Sequence, residues 1–141
     1  MYYCIKSKER PAMHTTEITV RGFDCDIYAH VNNARYLEYL EACRWDWVNA
    51  TGATEYFARR KMSFVVVNIN IDYRRPAVLN DVLLVSVRKD EVGNKSARVK
   101  QTVIRKSDDK LIAEATITFA MVDNTTGKTV EITEDMLPYF D

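Results

Sequence analysis

Four long apolar segments from residue 64 onward constrain the fold of this chain more than any other feature. They cover residues 64–73, 82–91, 97–106 and 111–123, and each is at least ten residues long. β-Branched residues dominate the first segment, and apolar and polar residues alternate strictly in the last, as is typical of β-strands. Short turns such as Gly93-Asn94 join the later segments. Because such turns connect antiparallel neighbours, the sequence predicts an antiparallel meander.

An amphipathic helix is predicted ahead of these strands. Four apolar residues recur at helical spacing, namely Tyr36, Leu40, Cys43 and Trp47. Asn32 or Asn33 is a suitable N-cap, and Gly52 supplies a stop signal. The helix therefore spans about five turns, and it must bury its apolar stripe against another element.

The order of these elements predicts an α+β fold. A strand at residues 15–21 comes first, the helix follows, and a short edge strand at residues 129–133 ends the meander. Such a chain forms one long central helix wrapped by a five- or six-stranded antiparallel sheet. We expect a single domain over residues 13–141, preceded by a ragged lead-in at residues 1–12.

One helix can cover only one face of a sheet of this size. The opposite face and at least one strand edge would stay exposed, and exposed edges are usually covered or paired. We therefore expect a homo-oligomer, most simply a two-fold dimer in which edge strands are joined.

Composition argues against several classes of protein. The 20 basic and 20 acidic residues of this 141-residue chain cancel, which argues against nucleic-acid or membrane-surface binding. No run approaches the ~18 apolar residues of a membrane span. The three cysteines are too few and too widely spaced for a disulfide framework or a zinc site. Since residues 1–12 lack the apolar core of a signal peptide, we expect a cytoplasmic protein without a metal site.

The segment most informative about chemistry is FDCDIYAHVNNARYLEYLEACR, residues 23–44. It carries Asp26 on a short loop just before the helix. A carboxylate there can activate water, and the first free N–H groups of the helix can hold the oxyanion formed during acyl hydrolysis. We expect Asp24, which lies further from the helix start, to be structural. Cys25 is rejected as a nucleophile because flanking carboxylates disfavour its thiolate.

The sequence resembles the hotdog-fold thioesterases of the 4-hydroxybenzoyl-CoA-thioesterase-like superfamily. The resemblance lies in HVNNARYLE at residues 30–38 and NINIDYRRPA at residues 68–77, with GNKS at 93–96 and TFAMVD at 118–123. It covers roughly residues 15–125 in register. Within that superfamily the chain looks most similar to the long-chain acyl-CoA thioesterase III subgroup.

The resemblance implies an enzyme that hydrolyses long-chain acyl-CoA to fatty acid and CoA, without metal or cofactor. It assigns the key acid to Asp26 and the oxyanion donor to the backbone N–H of Asn33. It also implies active sites at the subunit interface of a homodimer or homotetramer, with walls from the partner's long strand. Ala29 stands where many relatives carry Gly, which would permit a positive φ.

Three further residues near the helix start have two interpretations each. His30 either positions the substrate carbonyl or orients Asp26, or it is a loop histidine bonded to the backbone. Asn32 contacts the substrate or caps the helix, and one residue can do both. Tyr36 either contacts the substrate or packs in the core.

The long strand supplies the last candidate substrate contacts, Asn68, Arg74 and Arg75. If alternation along residues 64–73 is unbroken, Asn68 shares a face with Phe64 and can lie at the entrance of an acyl tunnel. Pairing across the subunit interface is its alternative role. Arg74 and Arg75 could bind the phosphates of CoA, and solvated arginines at a strand end are an equal alternative.

Three questions stay open from the sequence. The acid can act as a general base on water, or it can attack directly and form a mixed anhydride. The acyl group can be carried by CoA or by an acyl-carrier protein, although zero net charge does not favour an acidic carrier. A non-catalytic acyl-CoA-binding protein is a third alternative, and the presence of Asp26 argues against it.

Overall fold

A computed structural model describes residues 13–141, and the predicted lead-in at residues 1–12 lies outside them. The elements follow one another as β1 (Met13–Thr19), α1 (Asn33–Thr51), α2 (Ala53–Arg59), β2 (Met62–Tyr73), β3 (Val82–Val92), β4 (Ser96–Arg105) and β5 (Lys110–Asp123). Short 3-10 helices lie at Gly22–Asp24 and Glu134–Phe140. In this described part of the chain, no helix is long and apolar enough to cross a membrane.

The five strands form one antiparallel sheet in the order β1-β3-β4-β5-β2. Strands β3, β4 and β5 are the predicted meander, and β2 adds to its far side by pairing with β5. β1 and β2 are therefore the two edges. One long helix on a five-stranded antiparallel sheet confirms the predicted α+β fold class.

The edge strand predicted at residues 129–133 is wrong. The N–H groups of Val130 and Ile132 donate to the carbonyls of Met121 and Asn94, at 3.0 and 2.7 Å. These acceptors lie on β5 and in the turn between β3 and β4. Thr129 forms a single isolated bridge with Val122 of β5, and beyond it the segment crosses the end of the sheet without building a ladder.

α1 lies on one face of the sheet, where it contacts β1 and β3. The predicted apolar stripe is confirmed, because Tyr36, Leu40, Cys43 and Trp47 are all buried. They pack against strand residues that include Val85 and Val87. Burying one such large side chain contributes ~1.5–3 kcal/mol. The helix ends at the predicted stop, where Gly52 adopts a φ of 77°.

A second core closes the sheet at the end where β2 begins. The ring of Phe57 on α2 lies 4.8 Å from that of Phe64, and the ring of Phe140 lies 5.1 Å from it. Met121 of β5 is fully buried in the same cluster. This core fixes α2 and the 3-10 helix at Glu134–Phe140 against the start of β2.

β2 does not alternate without interruption. Its pairing with β5 slips at Val67, which becomes an extra residue in a β-bulge. Before the bulge, Phe64 faces the helix side of the sheet, and after it Tyr73 does. The unbroken alternation predicted for this strand is therefore wrong, and Asn68 lies on the face directed away from α1.

The outer edge of β2 is unusually exposed for an apolar strand. Val65, Val67 and Ile69 have exposed fractions of 45%, 59% and 37%. Among residues 13–141, β2 pairs only with β5, so its other edge carries N–H and C=O groups that have no strand partner in this part of the chain. An apolar strand edge of this kind is a surface suited to association.

Candidate active site

The segment between β1 and α1 folds back on itself around Asp26. The N–H of Asp26 donates to the carbonyl of His30 at 2.8 Å, and the carbonyl of Asp26 accepts the N–H of Ala29 at 3.0 Å. An antiparallel bridge between Cys25 and Val31 surrounds this turn. These backbone contacts fix the main chain of Asp26 relative to the segment that enters α1.

The carboxylate of Asp26 is exposed, and only one of its oxygens is engaged. Oδ1 accepts the N–H groups of Tyr28 at 2.9 Å and of His30 at 3.4 Å. Within residues 13–141, Oδ2 has no hydrogen-bond partner. One oxygen therefore holds the side chain in place, and the other is available to water or to an electrophile.

Ala29 adopts a φ of 60° within this turn. The left-handed region costs a residue with a Cβ roughly 1–2 kcal/mol. A glycine, which the resembled family often has here, would adopt this φ more easily. The alanine nevertheless takes the conformation, and its N–H closes the turn on the carbonyl of Asp26.

The first turn of α1 lies directly after this loop. Asn32 is the N-cap, as predicted, and its Oδ1 accepts the N–H of Ala34 at 3.0 Å. The N–H of Asn33, the first helical residue, has no acceptor among the described residues. Asn33 therefore offers a free backbone donor at the positive end of the helix dipole.

His30 meets Asp26 through its main chain. Both the N–H and the carbonyl of His30 bond to Asp26. Its backbone also forms a bridge with Val78, in the loop after β2. The imidazole is exposed and makes no hydrogen bond within the described part of the chain. The main chain thus orients Asp26, and the ring is free to reach another group.

Tyr73, at the end of β2, reaches the same region, a contact that no motif or spacing in the sequence predicts. Its hydroxyl donates to the carbonyl of Asn33 at 3.0 Å, and its ring lies 5.4 Å from that of Tyr36. Tyr36 itself is buried, its hydroxyl accepts the N–H of Ala77 at 3.1 Å, and burial raises its pKa. Tyr36 therefore lies in the core beneath the helix start, with its hydroxyl already engaged.

The structure does not bring the other strand residues to this site within one chain. Asn68 is opposite Thr118 on the face directed away from α1. Arg74 forms an ion pair with Glu114 at 2.7 Å, and Arg75 donates to the carbonyl of Leu111 at 2.9 Å. Both guanidinium groups are therefore engaged by β5, a result of cross-strand register that the sequence alone does not reveal.

Asp24 supports the loop from the buried side, in agreement with its predicted structural role. Only 5% of Asp24 is exposed, its Oδ2 accepts the N–H of Arg21 at 2.9 Å, and its carbonyl accepts the N–H of Asn32 at 2.8 Å. The Nε of Arg35 lies 3.7 Å from its Oδ1. Burial raises the pKa of Tyr39, and the neighbouring Asp24 side chain adds a smaller contribution in the same direction. Asp24 thus joins the start of the loop to the start of α1.

Large apolar side chains surround the loop and point into solvent. Phe23, Ile27 and Tyr28 have exposed fractions of 75%, 92% and 74%. The guanidinium of Arg35 lies over the ring of Phe23, at 5.8 Å from the ring centre. Such a cluster beside a polar site is typical of a surface that another molecule or subunit covers.

The loop and the helix start thus present a carboxylate oxygen and a backbone N–H donor, and neither has a partner in the described chain. Carboxylates can accept a proton from water or attack an electrophilic carbon. Helix N-termini stabilise developing negative charge. The arrangement therefore has both functions needed to hydrolyse an activated acyl group.

Comparison with known proteins identifies a family and two curated relatives. The family model that matches describes the thioesterase-like superfamily and spans residues 20–140. The chain is 42% identical over 117 residues to the long-chain acyl-CoA thioesterase FadM of Escherichia coli (strain K12), across 83% of this chain and 89% of FadM. It is 29% identical over 102 residues to the acyl-CoA thioesterase YbgC of Haemophilus influenzae, across 71% and 74% of the two chains.

Solved structures agree with this result. YbaW, a probable thioesterase from Escherichia coli, superposes with a TM-score of 0.85 at 38% identity, covering 90% of this chain and 98% of YbaW. A mutant of 4-hydroxybenzoyl CoA thioesterase superposes with a TM-score of 0.83 at 19% identity, covering 92% and 99%. The second likeness shows the fold alone. These superpositions confirm the hotdog fold that the sequence predicted.

Proposed function

Because the chain belongs to the thioesterase-like superfamily, we propose that it is an acyl-CoA thioesterase with long acyl chains as its preferred substrates. The observation that carries the proposal is that, among residues 13–141, neither Oδ2 of Asp26 nor the N–H of Asn33 at the helix start has a hydrogen-bond partner. The relatives named as long-chain and other acyl-CoA thioesterases support the choice of substrate.

The proposed reaction uses a water molecule near Oδ2 of Asp26. As a general base, the carboxylate takes a proton from the water while the water oxygen attacks the thioester carbon. The C–S bond of the tetrahedral intermediate then breaks, and CoA leaves as a thiolate without needing a strong acid. In the alternative route Oδ2 itself attacks the carbon, the thiolate leaves, and water hydrolyses the mixed anhydride. Both routes depend on the same carboxylate.

The helix start stabilises the oxyanion in either route. The Asn33 N–H would donate to the developing negative charge, assisted by the dipole of α1. Removing one donor of this type raises a barrier by ~3 kcal/mol. The exposed imidazole of His30 and the side chain of Asn32 flank this position, and we assign them to contacts with the acyl carbonyl region.

We further propose that the enzyme assembles as a two-fold dimer through the free edge of β2, alone or as half of a tetramer. Support comes from the apolar exposure of Val65, Val67 and Ile69 along an unpaired edge. The exposed residues Ile27 and Tyr28 beside Asp26 indicate that the site itself is covered on association. The active site would then lie at the subunit interface.

The proposed reaction needs no cofactor, since CoA is part of the substrate. The products, a free fatty acid and CoA, belong to fatty acid metabolism. We propose the cytoplasm as the location of the enzyme. An acyl-carrier protein is the alternative donor of the acyl group. The balanced charge of the chain gives that alternative no specific support.

The test is thiol release from a panel of acyl-CoA substrates with short, aromatic and long acyl groups, and from one acyl-carrier substrate. The wild type is expected to turn over long-chain acyl-CoA fastest. Asp26→Asn and Asp26→Ala are expected to lower kcat by about 1,000-fold or more, since both remove the base and nucleophile. Size-exclusion chromatography should show an unchanged dimer.

Asp109→Asn is the matched control, because Asp109 is an exposed acid in the turn between β4 and β5. It should keep wild-type turnover. Full activity in Asp26→Ala would refute the proposed role of the carboxylate. Faster turnover of the acyl-carrier substrate than of acyl-CoA would show that an acyl-carrier protein, and not CoA, carries the acyl group.

A further inference from the structure

A second concave region lies between α1, α2 and the first half of β2. It encloses about 620 Å³, a size typical of small-molecule sites. Its walls are largely apolar and include Val48, Ala53, Phe57, Phe64 and Phe119. Neither Asp26 nor Asn33 lines it. Within one chain, this cavity is therefore separate from the candidate active site.

The cavity carries a positive balance of charge. Three charged residues line it, namely Glu41, Arg44 and Lys61. Arg44 is turned inward, where it donates to Oε1 of the buried Gln101 at 2.9 Å and lies 5.6 Å from the ring centre of Phe119. Burial lowers its pKa. Arg44 is thus held in the wall, whereas Lys61 is exposed at the opening.

Lys61 has a fixed backbone and a free side chain. It adopts a φ of 53° between α2 and β2. Its N–H donates to the carbonyl of Ala58 at 3.1 Å, and its carbonyl accepts the N–H of Asn124 at 2.8 Å. In residues 13–141, no carboxylate lies within ion-pair distance of its ammonium group, whereas the nearby Arg59 is paired with Glu55. A cation is therefore presented at a defined position with no internal partner.

The cavity and the candidate active site lie at opposite ends of β2. Phe64, near the start of the strand, lines the cavity, whereas Tyr73, its last residue, bonds to the start of α1. In the proposed dimer the two β2 strands pair antiparallel about the two-fold axis. The start of one strand then lies beside the end of the other. In that arrangement the partner's Asp26 would lie at the end of β2 that adjoins this cavity.

We infer that Lys61 binds a phosphate group of the CoA whose thioester is held at the partner's Asp26, an inference that rests on the proposed function. CoA carries a diphosphate and a 3′-phosphate, and a lysine is a suitable point contact for such groups. Arg74 and Arg75, the cations that the sequence suggested for this role, are engaged by β5. The phosphate contact therefore comes from the other end of the strand and from the other subunit.

The experiment compares two thioesters of the same preferred acyl group, one with CoA and one with pantetheine, which lacks every phosphate. The ratio of their kcat/KM values measures recognition of the nucleotide and phosphates. Lys61→Gln is expected to lower this ratio about tenfold, through KM for the CoA ester, with kcat unchanged. Lys61→Arg should restore most of the ratio, since it keeps the charge. Lys110→Gln removes an exposed lysine at the start of β5 and should leave the ratio unchanged.

The outcomes separate this inference from the proposed function. If the wild type cleaves neither thioester, the proposed function is refuted, and the proposed role of Lys61 is refuted as well. If the wild type cleaves both, and Lys61→Gln keeps the wild-type ratio, only the role of Lys61 is refuted. An equal fall for both thioesters in Lys61→Gln would also refute it, because that pattern indicates a structural effect of the substitution.

Discussion

The two ends of β2 differ in how complete they are within a single chain. Beside Tyr73, the hydrogen bonds that orient Asp26 all come from residues of its own loop. Beside Phe64, the cavity is open, and the adjacent strand edge has no partner among the residues that the structure describes. The chemical groups are therefore preorganised locally, whereas the proposed binding surface depends on a second copy of the chain.

Disruption of the free edge of β2 is expected to have the largest effect on turnover. The double substitution Val65→Lys with Val67→Lys adds two charges to the proposed interface without touching the Asp26 loop. We expect monomers by light scattering, an unchanged circular dichroism spectrum, and a loss of turnover of about 100-fold or more, because charged edge strands resist pairing.

The control for that variant is Leu137→Lys, at an apolar residue that is 40% exposed on the last 3-10 helix. It should stay dimeric and active. A monomeric double variant with wild-type turnover would show that one chain holds a complete site, and the difference between the two ends of β2 would then have no functional meaning.

The two acids of the loop are predicted to have separate roles, Asp24 in stability and Asp26 in turnover. Asp24→Ala removes the acceptor of the Arg21 N–H and should destabilise the fold by about 2 kcal/mol. Asp26→Asn should leave the free energy of unfolding nearly unchanged while turnover is lost. Urea denaturation followed by fluorescence measures both. Equal stability losses in the two variants would contradict the separate roles assigned to these acids.

The smallest expected effect on stability concerns the turn that contains Ala29. Ala29→Gly relieves the cost of a positive φ but gives the unfolded chain more freedom, and these opposing terms leave a net change of no more than about 1 kcal/mol. Ala29→Val should destabilise the protein by more than Ala29→Gly does, because a β-branched side chain disfavours this φ. Thermal melts of the two variants give the comparison, and a melting temperature for the valine variant equal to wild type would argue against the strained turn.

The sequence predicted the features that repeat or that are local. The stripe from Tyr36 to Trp47 follows the helical period, and the meander follows from alternation and short turns, so both appear in the structure. The N-cap at Asn32 depends on residues adjacent in the chain. The catalytic assignment of Asp26 and Asn33 came from family resemblance and stays a prediction that the loop geometry supports.

The features that the sequence could not predict depend on cross-strand register. The bulge at Val67 lies in a run of apolar residues, where one extra residue does not visibly interrupt the sequence pattern. The predicted face of Asn68 is therefore wrong. The partners of Arg74 and Arg75 lie on β5, some forty residues later in the chain. The cavity beside Lys61 forms only where four elements meet, namely α1, α2, β2 and β5.

The most direct test of the central claim is complementation between two inactive variants. Asp26→Ala lacks the carboxylate, and Ala58→Trp blocks the cavity that Ala58 lines. Half of the co-expressed dimers should be mixed, and each mixed dimer has one intact site, so we expect about a quarter of wild-type turnover. Activity of the co-expressed dimers no higher than the average of the two variants alone would contradict a site shared between subunits.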